Sequence, residues 1–208
     1  MRKTIALCAA AAVAVGLFAA AAQADKDKKE AGKEKKFAAT CPVSGKPAIK
    51  DSKLKFAGKD VFFCCEGCPG AFKKDPKKFT TQVNVQWLET AQITQVGCPI
   101  TGRKLNKDAT IALGTTKAAF CCGNCLGKAK AAPPKELAAL IFKSFDKGFT
   151  LQTKCPVSGK PIVVAQVVKH NKKNVYFCCP GCPGPFEANP DKFLAKLPQF
   201  QTEKKKDK

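Results

Sequence analysis

The strongest constraint on how this chain can fold is a set of cysteines that returns three times at a fixed step of 57 residues. Cys41, Cys98 and Cys155 each open a Cys-Pro-(Val/Ile)-(Ser/Thr)-Gly-(Lys/Arg) stretch, and 22 residues later each is followed by Phe-Cys-Cys-x-x-Cys. The second clusters are Cys64, Cys65 and Cys68, then Cys121, Cys122 and Cys125, then Cys178, Cys179 and Cys182. The sequence between cysteines changes from copy to copy while their spacing does not. A thiolate site imposes that pattern, because a metal or a disulfide sets the geometry of its sulfurs and tolerates different filler between them. The spacing predicts three tandem units, each too small to rely on a large apolar core and each supplied with four thiols as a staple.

The ends of the chain read differently. Arg2 and Lys3 precede an apolar run from Thr4 to Ala22, closed by Ala22-Gln23-Ala24. These are the marks of a signal peptide over residues 1–24, cleaved near Ala24, and they predict export to a periplasmic or secreted location. Cys8, the thirteenth cysteine, departs with that segment. No later segment is long and apolar enough to span a bilayer, so the mature chain is expected to be soluble. Residues 25–36 carry lysines and acids with almost nothing apolar and read as a disordered charged linker; residues 201–208 read as a charged tail. Between them the expected organisation is 37–93, 94–150 and 151–200, with the middle copy diverged.

Within each unit the local order is a Pro/Gly-rich knuckle, a β-hairpin and a short helix. In the first, Leu54-Lys55-Phe56 alternates, Ala57-Gly58-Lys59-Asp60 is a turn, and Val61-Phe62-Phe63 leads a strand into the cysteines. A helix is expected after Cys68-Pro69-Gly70, with Phe72 and Phe79 on one face. Phe62, Phe63, Phe72 and Phe79 and their equivalents are core candidates, as is Trp87. In the middle unit Ala119 and Ala129 replace aromatic positions, and the strongest helix of the chain is predicted over Lys135 to Phe145. Val83, Val85 and Trp87 alternate as a strand would, and Phe149-Thr150-Leu151-Gln152 reads as a strand leading into the third unit. The fold class is therefore α+β: small Cys-rich modules in three tandem repeats, of a treble-clef-like kind.

Thiolates at a knuckle and at the head of a helix suit copper(I), for its softness, or zinc(II), which sulfur binds at about 2.3 Å. The helix dipole and free amides there lower thiol pKa values. An exported compartment argues the other way, since even-numbered cysteines in small exported domains commonly pair as disulfides. Two readings stand on the residues alone. One is a metal-binding protein for buffering, detoxification or delivery; the other is a disulfide-stapled scaffold whose basic surface binds envelope polyanions or a partner protein. CxxC pairs such as Cys179-Pro180-Gly181-Cys182 add a redox reading, but 57 residues are too few for a thioredoxin core.

At these residues the chain resembles the YHS domain of the TRASH-type heavy-metal-binding group. Cys41-Pro42-Val43-Ser44-Gly45-Lys46 is similar to that family's opening, Phe62-Phe63-Cys64-Cys65-Glu66-Gly67-Cys68 to its cysteine cluster, and Phe72 with Asp75-Pro76-Lys77-Lys78-Phe79 to its end. Tyr176 to Cys182 and Asn189-Pro190-Asp191-Lys192-Phe193 repeat the match, and the middle copy matches through its cysteines and Phe120. The family's knuckle cysteine is Ser44, Thr101 and Ser158 here, and its methionine is Lys46, Arg103 and Lys160. The resemblance implies binding of copper- or zinc-class metals, often beside a metal transporter or other envelope protein. It leaves each site one ligand short of four unless Cys65, Cys122 or Cys179 swings in.

His170, the single histidine, is expected to be a solvated turn residue. Ser44, Thr101 and Ser158 are turn hydroxyls within reach of an outer-sphere bond to a thiolate. A net charge of +21, about +19 once Arg2 and Lys3 are removed, favours an anionic envelope surface over nucleic acid for an exported chain. No phosphate loop, Ser-His-Asp set or carboxylate pair is present, so no enzyme is expected.

Overall fold

The computed structural model describes residues 37–201. The signal-peptide and linker expectations fall on residues 1–36, outside the described residues, as does the tail expected over 201–208 apart from Gln201, which ends a helix. No helix among the described residues is long and apolar enough to cross a membrane.

The architecture mixes short helices with small two-stranded antiparallel sheets. The first cysteine cluster is carried by β1 (Ile49–Phe56), β2 (Lys59–Phe63) and α1 (Gly67–Lys74). A 3-10 turn, Pro76–Phe79, and α2 (Thr80–Glu89) follow. The second is carried by β3 (Thr94–Gln95), β4 (Asn106–Leu113), β5 (Thr116–Phe120) and α3 (Gly123–Ala131), then α4 (Pro134–Phe142) and α5 (Phe145–Gly148). The third follows β6 (Phe149–Thr150) and uses β7 (Val163–His170), β8 (Lys173–Phe177), α6 (Pro183–Ala188), α7 (Asp191–Leu194) and α8 (Pro198–Gln201).

The three hairpins share one register. Ile49 opposes Phe63, Asn106 opposes Phe120, and Val163 opposes Phe177, each with the same irregularity before the next pair. That bulge adds twist and lets a long first strand close on a five-residue second one. The first hairpin turns at Ala57 and Gly58, the third at Asn171 and Lys172, all at positive φ, as a tight two-residue hairpin turn requires.

Two cores form. The larger joins the first two hairpin units: Val61, Phe63, Phe72, Val83 and Trp87 pack with Ala118, Phe120, Ala129, Ile141, Phe142 and Phe149. The smaller belongs to the third alone, built on Val175, Phe177, Phe186, Phe193 and Leu197. Ala129, in the place of Phe72 and Phe186, is fully buried in the shared core, on a helix that packs against α4.

Three expectations need correction. Val83, Val85 and Trp87 lie on helix α2, not on a strand. Its buried residues are Val83, Gln86 and Trp87, three and four apart as on one helical face; the alternating valines masked that period. The helix expected to reach Phe145 ends at Phe142. The chain breaks at Ser144 and restarts as α5, and Phe145 of α5 and Phe149 of β6 pack beside Phe142. His170 is the last residue of β7, half-buried, with its ring edge-on to Phe186 at 5.4 Å and close to Phe200 at 5.8 Å. It occupies the position of Phe56, which meets Phe72 edge-on at 5.2 Å, so it is a packed ring rather than a solvated one.

Other expectations hold. The hairpin strands, the short helices after the clusters and the burial of Phe63, Phe72 and Trp87 are as read. The strand leading into the third unit is real but only Phe149–Thr150, paired with Thr94–Gln95. That pairing depends on a close crossing, since a Cβ on Gly148 would lie 2.9 Å from Pro99 Cα, and one on Gly97 would lie 2.8 Å from the Lys147 carbonyl oxygen.

Candidate metal centre

Each knuckle is a closed backbone turn. The Cys41 amide donates to the Lys46 carbonyl (2.8 Å) and the Gly45 amide donates back to the Cys41 carbonyl (2.9 Å). The same pair of bonds closes Cys98 to Arg103 and Cys155 to Lys160. Gly45, Gly102 and Gly159 sit at φ of 73°, 74° and 73°, a left-handed conformation that glycine adopts without penalty. The turn aims the knuckle sulfur at the end of the second hairpin strand, where the Phe-Cys-Cys segment delivers the other thiols.

Three sulfur triads result: Cys41 with Cys64 and Cys68, Cys98 with Cys121 and Cys125, and Cys155 with Cys178 and Cys182. Within each, all sulfurs lie within 4.8 Å of one another. The strand-end and helix sulfurs are 3.7, 3.7 and 3.6 Å apart in the three clusters. Metal–sulfur bonds of about 2.3 Å at tetrahedral angles place sulfurs about 3.8 Å apart, so the triads are already at ligand spacing. All twelve described cysteines are free thiols, and disulfide sulfurs would stand only about 2.05 Å apart.

The fourth cysteines differ. Cys65 and Cys179 are exposed, with their sulfurs 3.4 Å from Cys68 and Cys182 respectively. Cys122 is half-buried and approaches Cys121, at 3.6 Å, as well as Cys125. All three lie beside their triads; none is among the triad ligands.

Hydroxyls finish each cluster. Ser44 Oγ lies 3.1 Å from Cys64 Sγ, Thr101 Oγ1 lies 3.3 Å from Cys121 Sγ, and Ser158 Oγ lies 3.0 Å from Cys178 Sγ. They also receive a turn amide, from Lys46, Arg103 and Lys160. Both roles read from the sequence therefore coexist.

Thiol acidity is split within each triad. Burial pushes the Cys41 thiol up, but bonds from the Ser44 hydroxyl and from the Ser44, Cys64 and Val43 amides outweigh it and bring it down to about 7. The same balance, with Thr101 and Ser158, brings Cys98 and Cys155 down to about 6. Burial first, and then hydrogen bonds with the neighbouring sulfurs, pushes Cys68 and Cys125 up to about 12. A hydrogen bond with Cys179 and then burial do the same to Cys182, also about 12. Each triad therefore combines a knuckle thiol that is more acidic than usual with a thiol at the head of the helix that is less acidic.

One class of residue was missed entirely. Gln86 is fully buried, and its side-chain amide accepts from the Phe62 amide (2.8 Å) and donates to the carbonyls of Phe62 (2.7 Å) and Thr40 (2.8 Å). It clamps the second hairpin strand to the residue before the knuckle cysteine. Gln95 makes the same clamp on Ala119 and Gly97, and Gln152 on Tyr176 and Lys154. Gln95 and Gln152 stand 57 residues apart, but the matching first position is Ala38. There the clamp comes from α2 instead. The Gln95/Gln152 repetition was the available signal.

Compared with protein-family models, characterised proteins and solved structures, the chain matches none. The fold and the sites define a cysteine-rich α+β protein with three thiol clusters able to hold a metal ion.

Proposed function

We propose that this is an exported, non-enzymatic protein that binds copper(I) or zinc(II) through cysteine thiolates in three YHS-like, treble-clef-like modules, for buffering, detoxification or delivery. The observation that carries the reading is the set of three sulfur triads at metal-ligand spacing, each with a hydroxyl against the strand-end sulfur. Cys41, Cys64 and Cys68, with their equivalents, are the primary ligands. Cys65, Cys122 and Cys179 are the nearest sources of a fourth. A three-thiolate set suits copper(I), and recruitment of the fourth sulfur would favour zinc(II). A metal transporter or other envelope protein would be the natural donor or acceptor, with the basic surface favouring an anionic envelope.

The test is elemental analysis and a parallel free-thiol count on protein purified without chelator or air. Three metal equivalents are expected, with the thiols recovered on denaturation and chelation. Cys64→Ser with Cys68→Ser should remove one equivalent and leave two. Unchanged stoichiometry would overturn the ligand assignment, and absent metal with absent thiols would establish a disulfide scaffold.

A further inference from the structure

The four sulfurs of each cluster are not arranged alike, and the difference has a chemical consequence. In the first and third clusters an exposed thiol, Cys65 or Cys179, stands 3.4 Å from a buried triad thiol, Cys68 or Cys182, three residues along. In the second, α3 begins immediately after Cys122, whose backbone is fully extended (φ −163°, ψ 169°). Its sulfur is half-buried, lies 3.6 Å from the adjacent Cys121 and also interacts with Cys125. A CxxC pair with neighbouring sulfurs closes a disulfide by a small side-chain rotation, and only an exposed first sulfur gives an incoming molecule free access.

We propose that Cys65–Cys68 and Cys179–Cys182 are thiol–disulfide exchange sites whose substrate is a small-molecule disulfide, and that the second cluster, whose Cys122 is half-buried, reacts more slowly. The exposed sulfur attacks the incoming disulfide RSSR, forms a mixed disulfide and releases one RSH. The buried sulfur then attacks the Cys65 or Cys179 sulfur and expels the second RSH. Two protein thiols lose two electrons, RSSR gains them, and its two protons come from the thiols. Exposure of the first sulfur gives the substrate access, and proximity of the second resolves the intermediate. The exchange itself stands apart from metal binding. Its consequence rests on the proposed function: Cys68 and Cys182 leave their triads, so oxidation would empty the outer sites and spare the middle one.

The experiment treats the reduced, metal-free chain with glutathione disulfide, quenches with acid, alkylates and locates disulfides by peptide mass spectrometry. Cys65–Cys68 and Cys179–Cys182 should form about tenfold faster than any disulfide in the second cluster, because the attacking sulfur is exposed there, whereas Cys122 is half-buried. Equal rates in all three clusters, or first disulfides that involve Cys41 or Cys155, would overturn the proposal. In a Cys65→Ser/Cys179→Ser variant, intramolecular disulfides at the outer clusters should no longer form at the original rate; their persistence would also overturn it. With metal loaded, glutathione disulfide should release two of three equivalents. A chain that never takes up metal defeats the proposed function and leaves the disulfide map to decide the exchange sites.

Discussion

Replacing Gln86 by leucine tests whether the buried amide clamp holds the first cluster together. The substitution keeps an apolar stem of similar size on α2 and removes three hydrogen bonds of 2.7–2.8 Å. The Phe62 amide and carbonyl lie in a buried environment and lose their partner; Thr40 is half-buried, so water can reach its carbonyl. A stranded buried group costs about 1–3 kcal/mol, so the two Phe62 groups together predict a loss of about 4 kcal/mol, with little added by Thr40. Urea unfolding of the reduced, metal-free protein would read this through Trp87, the single tryptophan, which sits in the larger core. With a slope of about 2 kcal/mol/M the midpoint should fall by about 2 M. Gln82→Leu, on the exposed face of the same helix, should shift stability by no more than about 0.5 kcal/mol. Cys41 and Cys64, which follow the clamped residues, should become faster to alkylate, while Cys155 and Cys178 should not. A loss below about 1 kcal/mol would show that the clamp is replaceable by water and refute the reasoning.

Other outcomes follow from the same geometry. Ser158→Ala removes the hydroxyl 3.0 Å from Cys178 Sγ and should weaken metal binding at the third cluster by about tenfold, within the range for outer-sphere partners, as read by chelator competition. For pH, the knuckle thiols fall from an ordinary value of 9.0 to about 7 at Cys41 and about 6 at Cys98 and Cys155. Their contribution to stability is complete above pH 9 and is lost as pH drops through 7 to 6. The helix thiols, raised to about 12, contribute below pH 9 and lose that contribution as pH climbs toward 12. Metal-free stability should therefore peak near pH 9; a maximum near pH 6 in urea titrations would contradict the assignment. Gly148→Ala forces a Cβ to within 2.9 Å of Pro99 Cα and should cost about 1–3 kcal/mol by the usual penalty for overpacking, measured in the same urea assay.

Much of the candidate site was legible because metal-ligand geometry is local in sequence. A Cys-Pro-Val-Ser-Gly-Lys knuckle closes on itself through its own backbone bonds and a left-handed glycine. Phe-Cys-Cys-x-x-Cys spans one strand end and one helix turn. The 57-residue step brought all three together without any knowledge of packing. The hairpins were legible for the same reason, since alternation and an Ala-Gly turn are short-range signals.

What the residues could not reveal depended on long-range partners. Alternating valines satisfied a strand as well as a helix, and burial of Val83, Gln86 and Trp87 on one face decided for α2. His170 stood in a lysine-rich turn, and only its packing on Phe186 and Phe200 showed that it fills a phenylalanine position. The glutamine clamp of the first unit arrives from 24 residues beyond the strand it holds, so no local pattern announces it. The sequence by itself determined which thiols belong to each cluster, because their spacing is covalent. Tertiary structure alone decided which thiol in each cluster is buried, which is exposed and which neighbour it faces, because those depend on where each helix begins and what packs behind it.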